Sequence, residues 1–168
     1  LHIAPEYCFI KRFGAMSNID YYSADLESPL ARVKMDIQAI PFEENKFDVI
    51  FCNHILEHVD DDLLAMRELY RVMKPGGWGI IQSPVNLDRA VTYEDKTITA
   101  PEERLKHFGQ KDHVREYGRD YADRMRSVGF KVEEVNLPEY VSDDKILYHA
   151  LTPSVEAAKD TIIYYVSK

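Results

Sequence analysis

Residues 46–83 read KFDVIFCNHILEHVDDDLLAMRELYRVMKPGGWGIIQS, and the order of elements they dictate decides the architecture. Val49–Cys52 form an apolar run with no polar alternation. That pattern is expected of a strand buried on both faces, as in a parallel sheet. From Asp60 the period changes: Leu63, Met66, Leu69, Tyr70 and Met73 recur at helical spacing and predict one buried stripe. Asp60, Asp61 and Asp62 crowd the first turn and Lys74 the last, complementing the helix dipole at each end. Pro75, Gly76 and Gly77 stop the helix, and WGIIQS opens a second strand closed by Pro84. Strand, helix and strand joined by short connections predict parallel pairing through a helical crossover.

Working outward, Leu1–Ala4 is an apolar stub ended by Pro5, read as a strand running into a loop. YCFIKRFGAMS predicts a short helix ending near Gly14. Strands are expected over Ile19–Ala24, with Asp25 at the tip, and over Val33–Met35, followed by Asp36. Tyr121, Met125 and Val128 predict a helix capped at Gly129, and Phe130–Val135 the strand after it. TIIYYVSK closes the chain as a strand, while residues 137–160 give no clear pattern. Residues 85–118 are charged, rich in turn formers and too long for a connection. They are expected to form a lid or substrate-binding insertion on the scaffold. The predicted fold is α/β: a Rossmann-like, doubly wound, mostly parallel seven-stranded sheet with helices on both faces, in one domain over 1–168. The chain begins at Leu1 without Met, inside an expected strand, so further residues are expected upstream.

Composition bounds the partners. With 168 residues, 45% hydrophobic and 30% charged, the chain reads as one soluble globular domain. No apolar run approaches the roughly 20 residues of a membrane span, so no membrane association is expected. The net charge of −8 argues against nucleic acid, because phosphate contacts need clustered Lys and Arg. Cys8 and Cys52 sit among apolar residues and are expected to be buried thiols of a cytoplasmic protein. Trp78 is expected in the core at the entry to its strand.

The succession IPFEENKFDVI, LEHVDD, ELYRVMKPGG and a hydrophobic strand, over Asp36–Pro84, resembles the central half of a class I S-adenosylmethionine-dependent methyltransferase. RMRSVGFKVEEV resembles a later helix and strand of the same fold. The resemblance implies S-adenosylmethionine as cofactor, laid across the carboxyl ends of the first strands. Asp25, with Leu26 beside it, matches the acid that holds the ribose hydroxyls. Asp36 and Ile37 match the adenine contacts, and Asn53 and His54 the residues lining the sulfonium region. The departure lies in LHIAPEYC, where the family carries a glycine-rich turn: His2 replaces an acid, and Ala4, Glu6 and Cys8 replace glycines. Ala4, Pro5 and Glu6 are nevertheless expected to contact the cofactor, with Glu6 gripping the methionine ammonium.

His54–His58 reads HILEH, which is also the zinc signature H-x-x-E-H. A zinc protease needs both histidines on one helical face. Here His54 follows directly on the strand, so that reading is rejected. The same trio aligns with the E-x-x-E-H ion ligands of ubiquinone-pathway O-methyltransferases, but polar contacts rather than a metal are expected of it. His58 and His113 are candidates for a general base, and His107, His113, Phe108 and Tyr117 for an acceptor pocket. The expected activity is methyl transfer to a small molecule. A non-catalytic binding domain on the same fold is the alternative. A dehydrogenase is disfavoured, because the first loop lacks G-x-G-x-x-G.

Overall fold

The computed structural model describes residues 1–149, 151–152 and 161–168. Seven strands form one sheet: β1 (His2–Ile3), β2 (Ser23–Asp25), β3 (Val33–Lys34), β4 (Phe47–Asn53), β5 (Met73–Gln82), β8 (Lys131–Asn136) and β9 (Ile162–Ser167). Their order is β3-β2-β1-β4-β5-β9-β8. The first five pair in parallel, and β9 runs antiparallel to both β5 and β8. The strand order reverses at β1, which pairs with β2 on one side and β4 on the other, so the carboxyl ends of β1 and β4 flank a crevice. In open α/β sheets such a point is where ligands bind.

Between the strands lie α1 (Tyr7–Gly14), α2 (Asp62–Val72), α3 (Pro101–Phe108), α4 (Tyr121–Ser127), α5 (Leu137–Tyr140) and α6 (Asp143–Tyr148). α2 starts as its acids predict: the Asp61 side chain caps it by accepting from Leu64 N at 2.9 Å. Its Ala65, Met66, Leu69 and Val72 are buried against the sheet. Burying such side chains contributes about 1.5–3 kcal/mol for each large one. In β4, Phe47, Ile50 and Cys52 are buried and Val49, Phe51 and Asn53 half-buried, so the strand is covered on both faces. Phe51 receives the ring of Phe13 from α1, stacked at 6.0 Å between centroids.

Several expectations are corrected. The second strand covers only Ser23–Asp25, because Ile19–Tyr22 lie outside the ladder. Residues 85–118 are not irregular: they contain α3 and a two-stranded antiparallel ribbon, β6 (Tyr93–Glu94) with β7 (Arg115–Glu116). Cys52 is buried, but Cys8 is exposed, because α1 buries none of its residues fully. Trp78 is 36% exposed, stacked with Tyr165 and edge-on to Phe51. The ambiguous 137–160 stretch holds α5 and α6, and its residues 150 and 153–160 lie outside the described ones. Among the described residues, no helix is long and apolar enough to cross a membrane.

Candidate cofactor-binding site

The crevice at the carboxyl ends of the parallel strands opens as two cavities. One of about 440 Å³ is lined by Ala4, Asp25, Leu26, Asp36, Ile37, His54 and His58, among others. The other, about 660 Å³, is lined by Glu6, Asn53, His54, Ser83, Val85 and Ile162, among others. His54 is a wall of both. Each volume lies in the range of small-molecule sites.

The first turn departs in sequence but keeps a turn that glycine usually supplies. Ala4 has φ +45°, in the left-handed region, and its N–H donates to Ala24 O at 2.8 Å. An L residue pays roughly 1–2 kcal/mol for this conformation, which glycine adopts freely. Beyond it, Glu6 is tied from two sides: Oε2 lies 2.7 Å from His2 Nε2, and Oε1 accepts from Asn53 Nδ2 at 3.2 Å. Burial pushes the Glu6 carboxyl up, but its own backbone N–H, Asn53 and His2 outweigh this and hold it below the usual range. Burial conversely lowers His2, against the pull of Glu6. The pair at neutral pH is therefore a neutral imidazole bonded to a carboxylate. His2 also packs among the rings of Phe9, Phe13, Tyr21 and Phe51.

Of the four acids that line the first cavity, Asp25, Glu27, Asp36 and Asp112, the first and third are fixed by local hydrogen bonds. Asp25 Oδ1 accepts from Glu27 N (2.8 Å) and Ser28 N (2.7 Å), an Asx turn that fixes the carboxylate. Oδ2 keeps its lone pairs free of protein donors among the described residues. Asp36 caps the short turn Ile37–Ala39 through Gln38 N at 2.8 Å, and the Gln38 amide reaches both its oxygens at 3.3 and 3.4 Å. Gln38 in turn accepts from Asp61 N at 3.0 Å, coupling the rim to the cap of α2.

His54–His58 lie in the turn between β4 and α2, not on a helix, so the two histidines share no helical face. His54 has φ +55° and a side chain 62% exposed, with Nδ1 3.4 Å from Glu57 Oε1. Asn53 Oδ1 is buried and has no hydrogen-bond partner among the described residues. An unpaired buried acceptor costs roughly 1–3 kcal/mol, so a donor is wanted there. The ammonium that ends the methionine moiety of S-adenosylmethionine is one, and the Glu6 carboxylate beside it has the matching charge. The residues present therefore fit the cofactor that the fold implies.

Of the proposed acceptor-pocket residues, Phe108 and His113 line one cavity of about 260 Å³, which neither Tyr117 nor His107 lines. Tyr117 is fully buried, donating from its hydroxyl to Asp62 Oδ2 (2.8 Å) and Leu56 O (3.2 Å). It is a strut rather than a pocket wall. His107, half-buried, faces Glu103 and Tyr93. His113 is buried, with Nδ1 3.2 Å from Phe108 O, and its ring meets that of His58 edge-on at 4.8 Å. The largest residue that sequence reasoning passed over is Arg115. Only 1% exposed, it donates to the carbonyls of Leu56 (2.6 Å), Val59 (2.5 Å) and Asp60 (3.1 Å) and so moulds the turn carrying His54–His58. An arginine in a charged loop gives no sign that it will be buried.

Comparison with known proteins bears on the central sequence and on the fold. Residues 12–81 match the family model described as a methyltransferase domain. The ubiquinone/menaquinone biosynthesis C-methyltransferase UbiE of Pseudoalteromonas translucida is 37% identical over 68 residues, which are 40% of this chain and 23% of that protein. The matched stretch thus covers less than a quarter of the length of this relative. An S-adenosylmethionine-dependent methyltransferase from Mesorhizobium loti has a similar fold, with TM-score 0.58 and 13% identity over 98% of this chain and 87% of that one. The [4+2]-cyclase SpnF is also similar, at TM-score 0.56 and 15% identity over 98% and 72% of the two chains.

Proposed function

We propose that this chain, which has the fold and the central sequence of the class I S-adenosylmethionine-dependent methyltransferases, transfers a methyl group from S-adenosylmethionine to a small-molecule acceptor. The observation that carries the reading is the pair of cavities meeting at His54, one lined by Asp25 and Asp36 among its acids and the other by Glu6 and Asn53. When bound, the cofactor supplies a methyl group activated on a sulfonium. Asp25 Oδ2 holds the ribose hydroxyls, since a carboxylate accepts two hydrogen bonds at once. Asp36 and Ile37 bind the adenine, with Leu26 and Ala4 against it. Glu6, with Pro5 setting the loop before it, and Asn53 Oδ1 take the ammonium. His54 stands at the junction of the two cavities, where the methyl is handed over.

The acceptor enters the 660 Å³ cavity, whose walls Val85, Leu87, Ile162 and Ile163 are apolar. Methyl transfer from a sulfonium needs alignment of the acceptor more than acid–base assistance. The segment 85–118 acts as a fixed acceptor wall of a single domain rather than a moving lid. Its anchors support this: Arg115 and Tyr117 are buried, and Asn86 N donates to Tyr117 O at 2.8 Å. We infer a cytoplasmic setting from the two free thiols, and no nucleic-acid partner from the net charge of −8.

Calorimetric titration with S-adenosylmethionine and S-adenosylhomocysteine tests the reading. Micromolar binding, about −8 kcal/mol, is expected, weakened at least about tenfold in Asp25→Ala, or about 1.4 kcal/mol. Absence of binding by the folded protein returns the chain to the reading of a non-catalytic binding domain.

A further inference from the structure

Below the His54 junction, residues from two distant parts of the chain meet in an arrangement that methyl transfer does not use. Glu57, His58 and His113 each bring one ligand atom within 4.8 Å of the other two. Glu57 and His113 are buried and His58 is half-buried. Each of the three is held by a further partner. Glu57 Oε2 accepts from Ser83 Oγ at 2.7 Å, the His58 Nδ1 faces Asp112 Oδ2 at 3.3 Å, and the His113 Nδ1 faces Phe108 O at 3.2 Å. A ring nitrogen that donates to a carboxylate or a carbonyl leaves the Nε2 of that ring as its lone-pair nitrogen. Outer partners of this kind accompany metal-ligating histidines and fix their tautomer. The two rings lie 4.8 Å apart between centroids and nearly perpendicular, so both histidines belong to one side-chain cluster.

We propose that Glu57, His58 and His113 form a binding site for a first-row divalent transition cation, with zinc the best fit. Two imidazoles and one carboxylate suit zinc or iron and not magnesium, which demands six oxygens. Three protein ligands leave one position open. Bonds of about 2.0–2.1 Å require ligand atoms about 3.3 Å apart, so occupancy draws the three side chains inward from their present spacing. The cation ties the turn after β4 to the segment that carries α3. His54 is outside the set, so these ligands differ from the trio that the motif H-x-x-E-H would supply. Backbone pairing already brings the two segments together, because Val114 N donates to Glu57 O at 2.9 Å.

The test is independent of methyl transfer. The full chain, stripped with chelator and dialysed, is titrated calorimetrically with zinc chloride and separately with magnesium chloride, and its cobalt(II) form is examined by absorption spectroscopy. One zinc per chain, no magnesium binding, and a tetrahedral or five-coordinate cobalt spectrum are expected. His113→Ala and Glu57→Gln are expected to weaken zinc binding at least about tenfold, and Asp112→Asn to weaken it by about tenfold through the outer partner. His54, whose Nδ1 lies 3.4 Å from Glu57 Oε1, is likewise an outer partner, and His54→Ala is expected to weaken zinc binding by about tenfold without abolishing it. His113→Gln, which keeps more of the buried volume, replaces His113→Ala should circular dichroism show that variant unfolded. No zinc binding by the folded parent overturns the proposal. So does zinc binding that His113→Gln leaves intact, or that His54→Ala abolishes.

Discussion

Removing one buried carboxylate should cost this domain a large part of its stability. Asp62, at the start of α2, accepts three hydrogen bonds: from Tyr117 Oη at 2.8 Å and from Arg124 Nε and Nη2 at 2.9 and 2.7 Å. Arg115 Nε lies 3.9 Å away. The side chains of Asp62 and Arg115 are 3% and 1% exposed. Burial alone would raise the Asp62 carboxyl, but Arg124, Arg115 and the Tyr117 hydroxyl outweigh it and hold it below the usual range. Asp62→Ala leaves Arg115, beyond its backbone carbonyl partners, with Glu94 as its one carboxylate among the described residues, and that side chain is 38% exposed. Breaking a buried pair by deleting one partner costs about 3–5 kcal/mol. For a chain of this size each kcal/mol shifts the melting temperature by about 2–4 °C, so a fall of about 6–20 °C is expected. Tyr117→Phe, which removes one charge-assisted bond, should cost about 1.5–3 kcal/mol. The double variant should cost less than the sum, because both changes act on one network. Urea unfolding monitored by circular dichroism measures all three. A loss below about 1 kcal/mol for Asp62→Ala, or strict additivity with Tyr117→Phe, would refute the reasoning.

Ala4 holds a left-handed conformation at φ +45° that costs an L residue roughly 1–2 kcal/mol and glycine little. Ala4→Gly should therefore be neutral or stabilising by up to about 1 kcal/mol after glycine's entropy in the unfolded chain is counted; a loss above about 1 kcal/mol would show that the methyl group is needed. Acidification should weaken the fold through His2, which burial holds below its ordinary value of 6.5. Between the folded and unfolded values the unfolded chain binds more protons, so stability is complete above 6.5 and declines as pH falls below it. Urea midpoints at pH about 7.5 and about 5.5 should differ in that direction, and His2→Asn should flatten the difference; an equal slope in the variant would assign the effect to other groups.

The sequence alone determined the α/β class, the central strand, helix and strand, and the carboxylates at the strand tips. These are local signals: a change of period from an apolar run to helical spacing, and three acids at a helix start; the helix end was misplaced, because α2 stops at Val72 and Pro75, Gly76 and Gly77 lie within β5. Burial writes itself into spacing because residues three or four apart share a helix face. It also fixed the turn position of His54–His58, since His54 follows the strand without a break. The first loop was legible as a departure, but only the three-dimensional arrangement showed that Ala4 keeps a left-handed turn and that Glu6 bridges His2 and Asn53.

What the tertiary structure decided is the set of polar contacts between distant segments. Tyr117 and Arg124 reach Asp62 across 55 and 62 residues, Arg115 reaches Leu56 across 59, and His113 joins Glu57 and His58. Such pairs leave no period in the sequence, because neither partner has an apolar pattern to repeat. The same holds for Cys8 and Trp78, whose apolar neighbours suggested a core that the packing of α1 and β5 does not provide. Hydrophobic periodicity records which face of an element is covered, whereas a buried charge is tolerated only where the folded chain brings its counter-charge. That meeting is a property of the three-dimensional path, and it holds the turn on which the candidate site is built.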